Sequence, residues 1–219
     1  HAGQQRHCDQ LRTAGAVTDR CPCRFHHGAA AGSMNVEHPD AQLRRCLAGA
    51  CNRIGNVVEF QVEKNIETPL APHTGRVLAR SLVVVPILRA GLGMLQPFQD
   101  IFPDTSVGYI GLERDHETAK ARSYYCKLPP VADTRTIVVD PMLATGGSAS
   151  QALQIVKDQG ATDVCLVCIL GSPEGVETIH RDHPDVSIIL GVLDESLNAN
   201  KYIVPGLGDF GDRLYGTHA

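Results

Sequence analysis

Short apolar runs alternate with segments of helical periodicity between residues 81 and 193 of the chain. The runs are rich in Val, Ile and Leu, which is typical of strands that are buried on both faces of a sheet. Alternation of strands and helices indicates an α/β fold, so we predict a mostly parallel sheet flanked by helices on both faces. The predicted strands are residues 81–88 (SLVVVPIL), 106–112, 137–139, 164–170 and 186–193.

Three predicted helices follow these strands. One begins in the turn at residues 89–94, and another begins at Ser172, with Pro173 in its first turn. The helix between them ends at Gly160, a common helix stop. Its apolar residues have the i, i+3, i+4, i+7 spacing of one buried face: Ala149, Ala152, Leu153 and Val156.

Charged residues follow three of the predicted strands. Arg89, Asp140 and Asp194 each come directly after an apolar run. In open α/β sheets, ligands bind at the carboxyl ends of the strands, so we expect these side chains to lie near a binding site. Between two of these strands, residues 113–128 are polar and contain Tyr124 and Tyr125. We predict that this segment forms an exposed, flexible arm.

The N-terminal part of the chain divides into two segments. Residues 1–39 lack apolar periodicity and contain Met34 as the first methionine, so we expect a disordered extension outside the folded domain. Residues 40–54 have the pattern of a helix capped by Asp40 and ended by Gly55, so we place one domain at residues 40–219. A C-x-C-x-x-H-H run has no regular zinc-finger spacing, and we do not expect it to bind metal: Cys21, Cys23, His26 and His27.

The stretch from Thr136 to Gly160 (TIVVDPMLATGGSASQALQIVKDQG) carries the clearest chemical signal. A strand leads through a Gly-rich loop into a helix N-terminus, where unpaired amides and the helix dipole favour an anion. Residues 146–147 are glycines that allow close approach of a phosphate, and Thr145 and Ser148 add hydroxyl donors. No Lys follows the glycines, which excludes a Walker-type loop. An acid at the strand end before such a loop suits a sugar phosphate, although an ordinary strand-to-helix turn has a similar composition.

Composition narrows the choice of partners. The chain has 219 residues, 43% hydrophobic and 20% charged, with a formal net charge of −4. This charge gives no basic surface for nucleic acid, so a polyanionic substrate has to be bound by a few local arginines and amides. No apolar run approaches the roughly 20 residues that span a bilayer, and no secretory signal opens the chain. We therefore expect no membrane partner and a cytoplasmic location.

The eight cysteines fit a reducing compartment better than a disulfide scaffold. Cys165 and Cys168 lie within the apolar run VCLVCIL. A C-x-x-C pair can bind metal or undergo redox chemistry, but in a strand it is more often part of the core. His180 and His183 lie at a polar helix end, where we expect them to be solvated and not catalytic.

Four separated stretches resemble the uracil phosphoribosyltransferase family, in its order and at its spacing. They are VVVPILRAGLGM (residues 83–94), GLERDHET (111–118), VVDPMLATGGS (138–148) and YIVPGLGDFGDRLYGT (202–217). The resemblance covers the chain from about residue 60 to the C-terminus. It implies a phosphoribosyltransferase-like fold with a short C-terminal hood over the base.

The resemblance implies synthesis of UMP and pyrophosphate from uracil and 5-phosphoribosyl 1-pyrophosphate, a reaction of pyrimidine salvage. It assigns pyrophosphate contacts to Arg89 and Arg114, whose guanidinium groups can each donate two hydrogen bonds to one phosphate. It assigns the ribose hydroxyls to Asp140 and a further donor contact, through magnesium-bound water, to Asp209. Mg²⁺ is then held mainly by the substrate, without direct side-chain ligands. The rest of the donor site comprises Pro141, Met142, Leu143, Ala144, Thr145, Gly146, Gly147 and Ser148, of which residues 144–148 take the 5-phosphate.

The base site implied by the resemblance lies in the C-terminal loop (residues 202–211). A loop constrained by Gly and Pro can present backbone groups to the edge of uracil, although its composition alone also fits a plain tight loop. Family members usually have a small Ala where this chain has Phe210, so we expect a base pocket of altered shape. The implied uracil contacts are Tyr202, Ile203, Gly208, Asp209 and Phe210.

Two other functions remain open at this point. One is a nucleotide-sensing regulator on the same fold, which would need a basic face for nucleic acid. The other is a catalytically impaired homologue. The resemblance also implies a homo-oligomer, because family members associate, and it leaves activation by GTP open.

Overall fold

The computed structural model describes residues 61–114 and 121–217 of the chain. The predicted helix at 40–54 and the Cys/His run at 21–27 lie outside these residues. The central sheet has the strand order β10-β9-β7-β3-β5-β6, with β4 paired to β3 and β8 paired to β9. Its strands are β3 (Leu82–Leu88), β4 (Ser106–Val107), β5 (Tyr109–Arg114), β6 (Ala121–Lys127), β7 (Arg135–Val139), β8 (Met142–Leu143), β9 (Asp163–Gly171) and β10 (Ser187–Leu193).

All pairings in this sheet are parallel except that of β5 with β6. The mostly parallel sheet predicted from the apolar runs is therefore confirmed. One predicted strand is wrong in detail, because residues 106–112 form two strands separated at Gly108. The Gly108 amide bonds to the Val84 carbonyl at 3.0 Å, while the flanking residues pair with different parts of β3.

Four helices are described: α1 (Leu92–Ile101), α2 (Gly147–Asp158), α3 (Pro173–Asp182) and α4 (Phe210–Tyr215). Alternate residues of β3 belong to two separate apolar clusters. Val83 and Val85 lie in the cluster that contains the buried faces of α2 and α3. Leu82 and Val84 lie in the cluster that contains the buried residues of α1 and α4. Helices therefore cover both faces of the sheet, as predicted.

Helix α2 has the predicted buried face, formed by Ala149, Ala152, Leu153 and Val156. Two hydrogen bonds close its C-terminal end. The Gly160 amide donates to the Lys157 carbonyl at 2.8 Å, and the Ala161 amide donates to the Val156 carbonyl at 3.1 Å. Gly160 has φ +94°, the left-handed conformation required at this end. Gly160 is thus the helix stop that the sequence indicates.

Of the arm predicted at residues 113–128, residues 115–120 lie outside the described part of the chain, and nearly all of the rest belongs to β5 and β6. β6 pairs with β5 and forms an edge of the central sheet. Tyr124 and Tyr125 are exposed, as expected. The predicted arm is therefore an antiparallel extension of the sheet edge.

Two short hairpins complete the described part of the chain. β1 (Gln61–Glu67) and β2 (Pro72–Leu78) pair with each other as a separate two-stranded sheet, which the sequence analysis does not predict. β11 (Ser196–Leu197) and β12 (Ile203–Val204) form the second, which leads into the C-terminal loop. Within the described ranges, no helix is long and apolar enough to cross a membrane.

Candidate active site

A cavity of about 360 Å³ lies at the carboxyl end of the sheet. It is open to solvent and lies between the loop that follows β7 and the C-terminal loop. These are two of the four stretches that carry the sequence resemblance. Its lining residues are Ala90, Asp140, Met142, Ala144, Asn200, Lys201, Tyr202, Ile203, Gly208, Asp209, Phe210 and Gly211.

Asp140 is the acid at the end of β7. Its side chain is half-buried and lines the cavity. Burial raises the pKa of Asp140 to about 7, and the Met142 amide, which donates to Oδ1 at 3.3 Å, partly opposes this rise. A hydrogen-bond donor or a cation that enters the cavity would stabilise the ionised carboxylate and lower this pKa.

The central loop (residues 140–148) carries Ala144 into the cavity and ends at the start of α2. Gly146 is the N-cap residue of α2 and has φ +82°. Pro141 and Leu143 are buried, and Leu143 belongs to the apolar core. These two residues of the predicted phosphoribosyl-donor site therefore pack against the protein interior. Gly147 is exposed, and Thr145 and Ser148 are half-buried at the helix N-terminus.

Arg89 follows β3 and lies next to the C-terminal helix. Its guanidinium Nη2 is 3.7 Å from Oδ1 of Asp212, and its carbonyl accepts a hydrogen bond from the Tyr215 hydroxyl at 3.1 Å. Its side chain is exposed, which leaves it accessible to an anion. Arg114 is the last residue of β5, and the structure does not describe its side chain.

The C-terminal loop is held by three hydrogen bonds that the sequence analysis does not identify. The Asp194 carboxylate accepts from the Gly206 amide at 2.9 Å. Arg213 donates to the Leu207 carbonyl at 3.0 Å. Asp209 caps α4 by accepting from the Asp212 amide at 2.9 Å. The loop backbone is therefore fixed where Gly208 and Asp209 line the cavity.

Comparison with known proteins decides the family. The family model for uracil phosphoribosyltransferase matches residues 47–217, more than half of the chain. The chain belongs to the uracil phosphoribosyltransferase family. Curated members include a protein from Acholeplasma laidlawii, 49% identical over 196 residues, which cover 83% of this chain and 94% of that protein. Another, from Clostridium perfringens, is 52% identical over 175 residues, 76% of this chain and 84% of that protein.

Solved structures agree on the phosphoribosyltransferase fold. A protein from Aquifex aeolicus superposes with a TM-score of 0.76 at 34% identity, over 82% of this chain and 86% of that one. A purine phosphoribosyltransferase from Pyrococcus horikoshii gives a TM-score of 0.52 at 15% identity, over 71% of this chain and 85% of that one. The second likeness shows the shared fold.

The predicted uracil-site residues come together in the structure of this uracil phosphoribosyltransferase family member. All five of them line the cavity that also contains Asp140: Tyr202, Ile203, Gly208, Asp209 and Phe210. Phe210 is also part of the apolar cluster beneath α1, where a Cβ atom added to Gly93 would lie 3.4 Å from its ring. Much of the ring therefore packs into the core.

Four lining residues were missed by sequence reasoning. Ala90 and Gly211 each adjoin a predicted site residue, so proximity along the chain was their only signal. Asn200 and Lys201 lie in the turn between β11 and β12, and Lys201 has φ +65°. The short sequence NANK gave no sign that this turn bends back over the cavity.

His183 corrects one expectation of the sequence analysis. It was predicted to be solvated, but it is 3% exposed at the C-terminal end of α3. Its Nε2 lies 2.9 Å from the Ser150 carbonyl oxygen and 3.1 Å from the Ser150 hydroxyl of α2. The polar helix end is covered because α2 packs across it. His180, which was also expected to be solvated, is half-buried. Cys165 and Cys168 of β9 are buried, as expected for core residues.

The oxygen atoms that line the cavity bear on whether it fits magnesium. No group of three or more His, Cys, Asp or Glu side chains is arranged to bind a metal within residues 61–114 and 121–217. Two carboxylates, Asp140 and Asp209, do line the cavity. Oxygen ligands of this kind suit Mg²⁺, which usually retains waters and binds through substrate phosphates and one or two carboxylates.

Proposed function

We propose that this protein transfers the phosphoribosyl group of 5-phosphoribosyl 1-pyrophosphate to uracil, giving UMP and pyrophosphate in pyrimidine salvage. The observation that carries the proposal is the single cavity shared by Asp140 of the central loop and Gly208 and Asp209 of the C-terminal loop. A group-transfer enzyme has to bind donor and acceptor side by side, and this cavity joins the two loops. Family membership supports the same reaction.

The ribose of the donor is assigned to Asp140. Its carboxylate accepts hydrogen bonds from the ribose hydroxyls, which compensate for its burial. During transfer, the bond between C1 and the pyrophosphate oxygen breaks while positive charge develops on the ribose. A nearby carboxylate stabilises that charge more strongly in the transition state than in the ground state.

Residues 144–148 are assigned to the 5-phosphate. Their backbone amides and the start of α2 provide donors, and the helix dipole favours the negative charge there. Thr145 and Ser148 add hydroxyl groups. Binding this remote phosphate fixes the position of the ribose, and part of the binding energy is thereby used for orientation.

The pyrophosphate end is assigned to Arg89 and Arg114. Arg89 directly follows β3, and Arg114 is the last residue of β5, so both residues lie at the carboxyl ends of central strands. Asp140 and Asp209, which line the cavity, would hold Mg²⁺ together with the substrate, and the ion would supply neutralisation of charge on the pyrophosphate. The arginines bind and orient the same group without any change in their own protonation.

Uracil is assigned to the backbone of the C-terminal loop. Its two carbonyl acceptors and its N3–H donor are assigned to backbone groups near Gly208 and Asp209, which line the cavity. The preceding residues of the loop, Gly206 and Leu207, are held in place by Asp194 and Arg213. Cytosine has an amino group in place of one acceptor, so a donor would face a donor. An unpaired buried group costs about 1–3 kcal/mol, so at least about tenfold discrimination against cytosine is expected.

The test is a spectrophotometric assay of uracil consumption with the donor and Mg²⁺. Turnover of uracil, with kcat/KM at least about tenfold lower for cytosine, supports the proposal. Absence of turnover with all bases would instead point to an impaired homologue. GTP, added to the same assay, tests for activation. Because the donor is a polyanion that does not cross membranes unaided, we place the activity in the cytoplasm.

We propose further that the protein is a homo-oligomer. The β1–β2 hairpin is a sheet of only two strands, which is marginally stable by itself. It exposes five large apolar side chains, a surface suited to a second copy of the chain: Val62, Ile66, Leu70, Val77 and Leu78. Sedimentation equilibrium should give a multiple of the 23.6 kDa chain mass. A monomer at micromolar concentration would contradict this.

A further inference from the structure

Ser172 lies directly beneath the central loop, at the point where β9 passes into α3. It is 0% exposed and is the N-cap residue of α3. Its hydroxyl donates to the Ala144 carbonyl at 2.6 Å and accepts from the Gly175 amide at 3.1 Å. One buried hydroxyl therefore caps a helix and binds the loop assigned to the 5-phosphate.

The backbone of Ser172 contacts the same loop. Its amide donates to the Leu143 carbonyl at 3.0 Å. Ser172 thus binds two consecutive carbonyl groups, those of Leu143 and Ala144. In a trans peptide, the carbonyl of one residue and the amide of the next point in opposite directions. Turning both carbonyls toward Ser172 therefore turns the amides of Ala144 and Thr145 toward the opposite side, where Ala144 lines the cavity.

The close approach of α3 to these carbonyls is a second, independent observation. A Cβ atom at Gly175 would overlap the Ala144 carbonyl oxygen and lie 2.7 Å from that of Leu143. A Cβ atom at Gly146 would lie 2.8 Å from Thr178, one turn further along α3. The first turn of α3 and the central loop are therefore packed backbone to backbone, with no room for a side chain at Gly175 or Gly146.

We propose that Ser172 is a positioning residue for phosphoribosyl binding. Its hydroxyl holds the Ala144–Thr145 peptide in the orientation that presents an amide to the 5-phosphate. This inference rests on the proposed function of the central loop. Ser172 touches no substrate, and its effect is transmitted through that one peptide group.

Ser172→Ala tests the proposal, because it keeps the backbone bond to Leu143 and removes the hydroxyl. We expect KM for 5-phosphoribosyl 1-pyrophosphate to rise about tenfold, while KM for uracil changes by less than about twofold. Inhibition by ribose 5-phosphate should weaken by a similar factor. Inhibition by inorganic pyrophosphate, which engages the arginines, should be unchanged. Ser172→Thr retains the hydroxyl and should restore most of the donor affinity.

The control is Ile179→Val, which removes one methyl group from the buried face of the same helix. It lowers stability and leaves every hydrogen bond of Ser172 in place, so its KM values should match those of the wild type. If Ser172→Ala is destabilised like this control but keeps wild-type KM and inhibition constants, the proposal is wrong. If Ser172→Ala does not fold, Ser172→Cys keeps the volume with a weaker donor and should show the same selective loss.

Measurements on the wild-type protein distinguish failure of the proposed function from failure of the role proposed for Ser172. A wild-type protein that neither turns over uracil nor binds ribose 5-phosphate contradicts the assignment of the loop itself. A wild type that does both, with no selective loss in the Ser172 variants, contradicts only the role of Ser172.

Discussion

Asp140 combines a requirement of function with a cost in stability. Its carboxyl group is half-buried beside the apolar ends of central strands, and this burial raises its pKa to about 7. The folded protein therefore binds a proton more tightly than the unfolded chain, in which the carboxyl has its ordinary pKa of 3.8. Between these two pKa values, the contribution of Asp140 to the free energy of unfolding falls as the pH rises. Above about pH 7 this contribution falls no further.

Asp140→Asn should consequently stabilise the protein without ligand, and only at the higher pH values. Near pH 3, below both pKa values, the variant and the wild type should unfold alike, because Asp140 is protonated in both states. By pH 8 the variant should be more stable by on the order of 2 kcal/mol, allowing for partial exposure of the group. Urea unfolding at several pH values measures the difference. Asp133→Asn, which removes the same charge at an exposed position, should show no such trend.

The same carboxyl should set the acid limb of activity. In the proposed function, the ionised form of Asp140 binds the ribose hydroxyls, so kcat/KM for the donor should fall about tenfold per pH unit below pH 7. Asp140→Ala removes charge-assisted hydrogen bonds of about 1.5–3 kcal/mol each, so its activity at pH 8 should fall at least about tenfold while it still folds. Its pH profile should be flatter. An unchanged acid limb in the variant would assign that limb to another group.

At the scale of elements, the C-terminal loop depends on backbone conformation. Gly208 has φ +79°, and a Cβ atom there would meet no other atom within 4 Å, because the position faces the open cavity. A side chain at this position would therefore be strained and would also extend toward the space assigned to the base. These two effects can be separated, because Gly160 has the same features outside the site, with φ +94° and no atom within 4 Å.

Gly208→Val and Gly160→Val should lose comparable stability, since both place a branched side chain at positive φ. Only Gly208→Val should raise KM for uracil, and it should do so by at least about tenfold, the effect of losing one buried hydrogen bond. Its KM for the donor should change little, because the central loop is a separate strand-loop-helix unit. Steady-state kinetics on both variants provide the comparison. Loss of donor affinity alone in Gly208→Val would place the base elsewhere.

Most elements of the central sheet could be predicted from local patterns. β3, β7 and β9 are buried on both faces and therefore appear as continuous apolar runs, and the edge strand β10 is buried on one face and half-buried on the other. The β1–β2 hairpin could not be predicted this way, because it has no buried face that imposes alternation. Asp140 and Gly208 were accessible through the sequence resemblance. Ser172, Lys201 and His183 were not, because their roles arise from contacts between segments that are distant along the chain.

At the scale of the whole molecule, the family match begins at residue 47, and no function is assigned to the first 39 residues. We propose that the catalytic domain comprises residues 40–219. Its predicted helix at 40–54 has an apolar face that requires burial. In this proposal, the N-terminal extension contributes no residue to the cavity. All of the proposed site residues lie in the four stretches between residues 83 and 217.

Deletion of residues 1–33, so that the chain begins at Met34, should leave kcat and both KM values unchanged. Deletion of residues 1–54 is the matched variant, and it should lose activity or solubility because it removes the predicted helix. Metal analysis of the full chain should find no stoichiometric zinc. Loss of activity in the shorter deletion, or bound zinc, would show that the extension belongs to the functional protein.

The order of the elements along the chain has a consequence for how such enzymes diversify. The sheet and the central loop are complete by Leu193, and the segment that lines the base site follows afterwards. Two hydrogen bonds fasten the middle of that segment: Asp194 accepts from the Gly206 amide, and Arg213 donates to the Leu207 carbonyl. Under the proposed function, a single recombination event after β10 would exchange base preference while the proposed phosphoribosyl site stays intact. New specificities can arise by replacing one terminal segment of a gene.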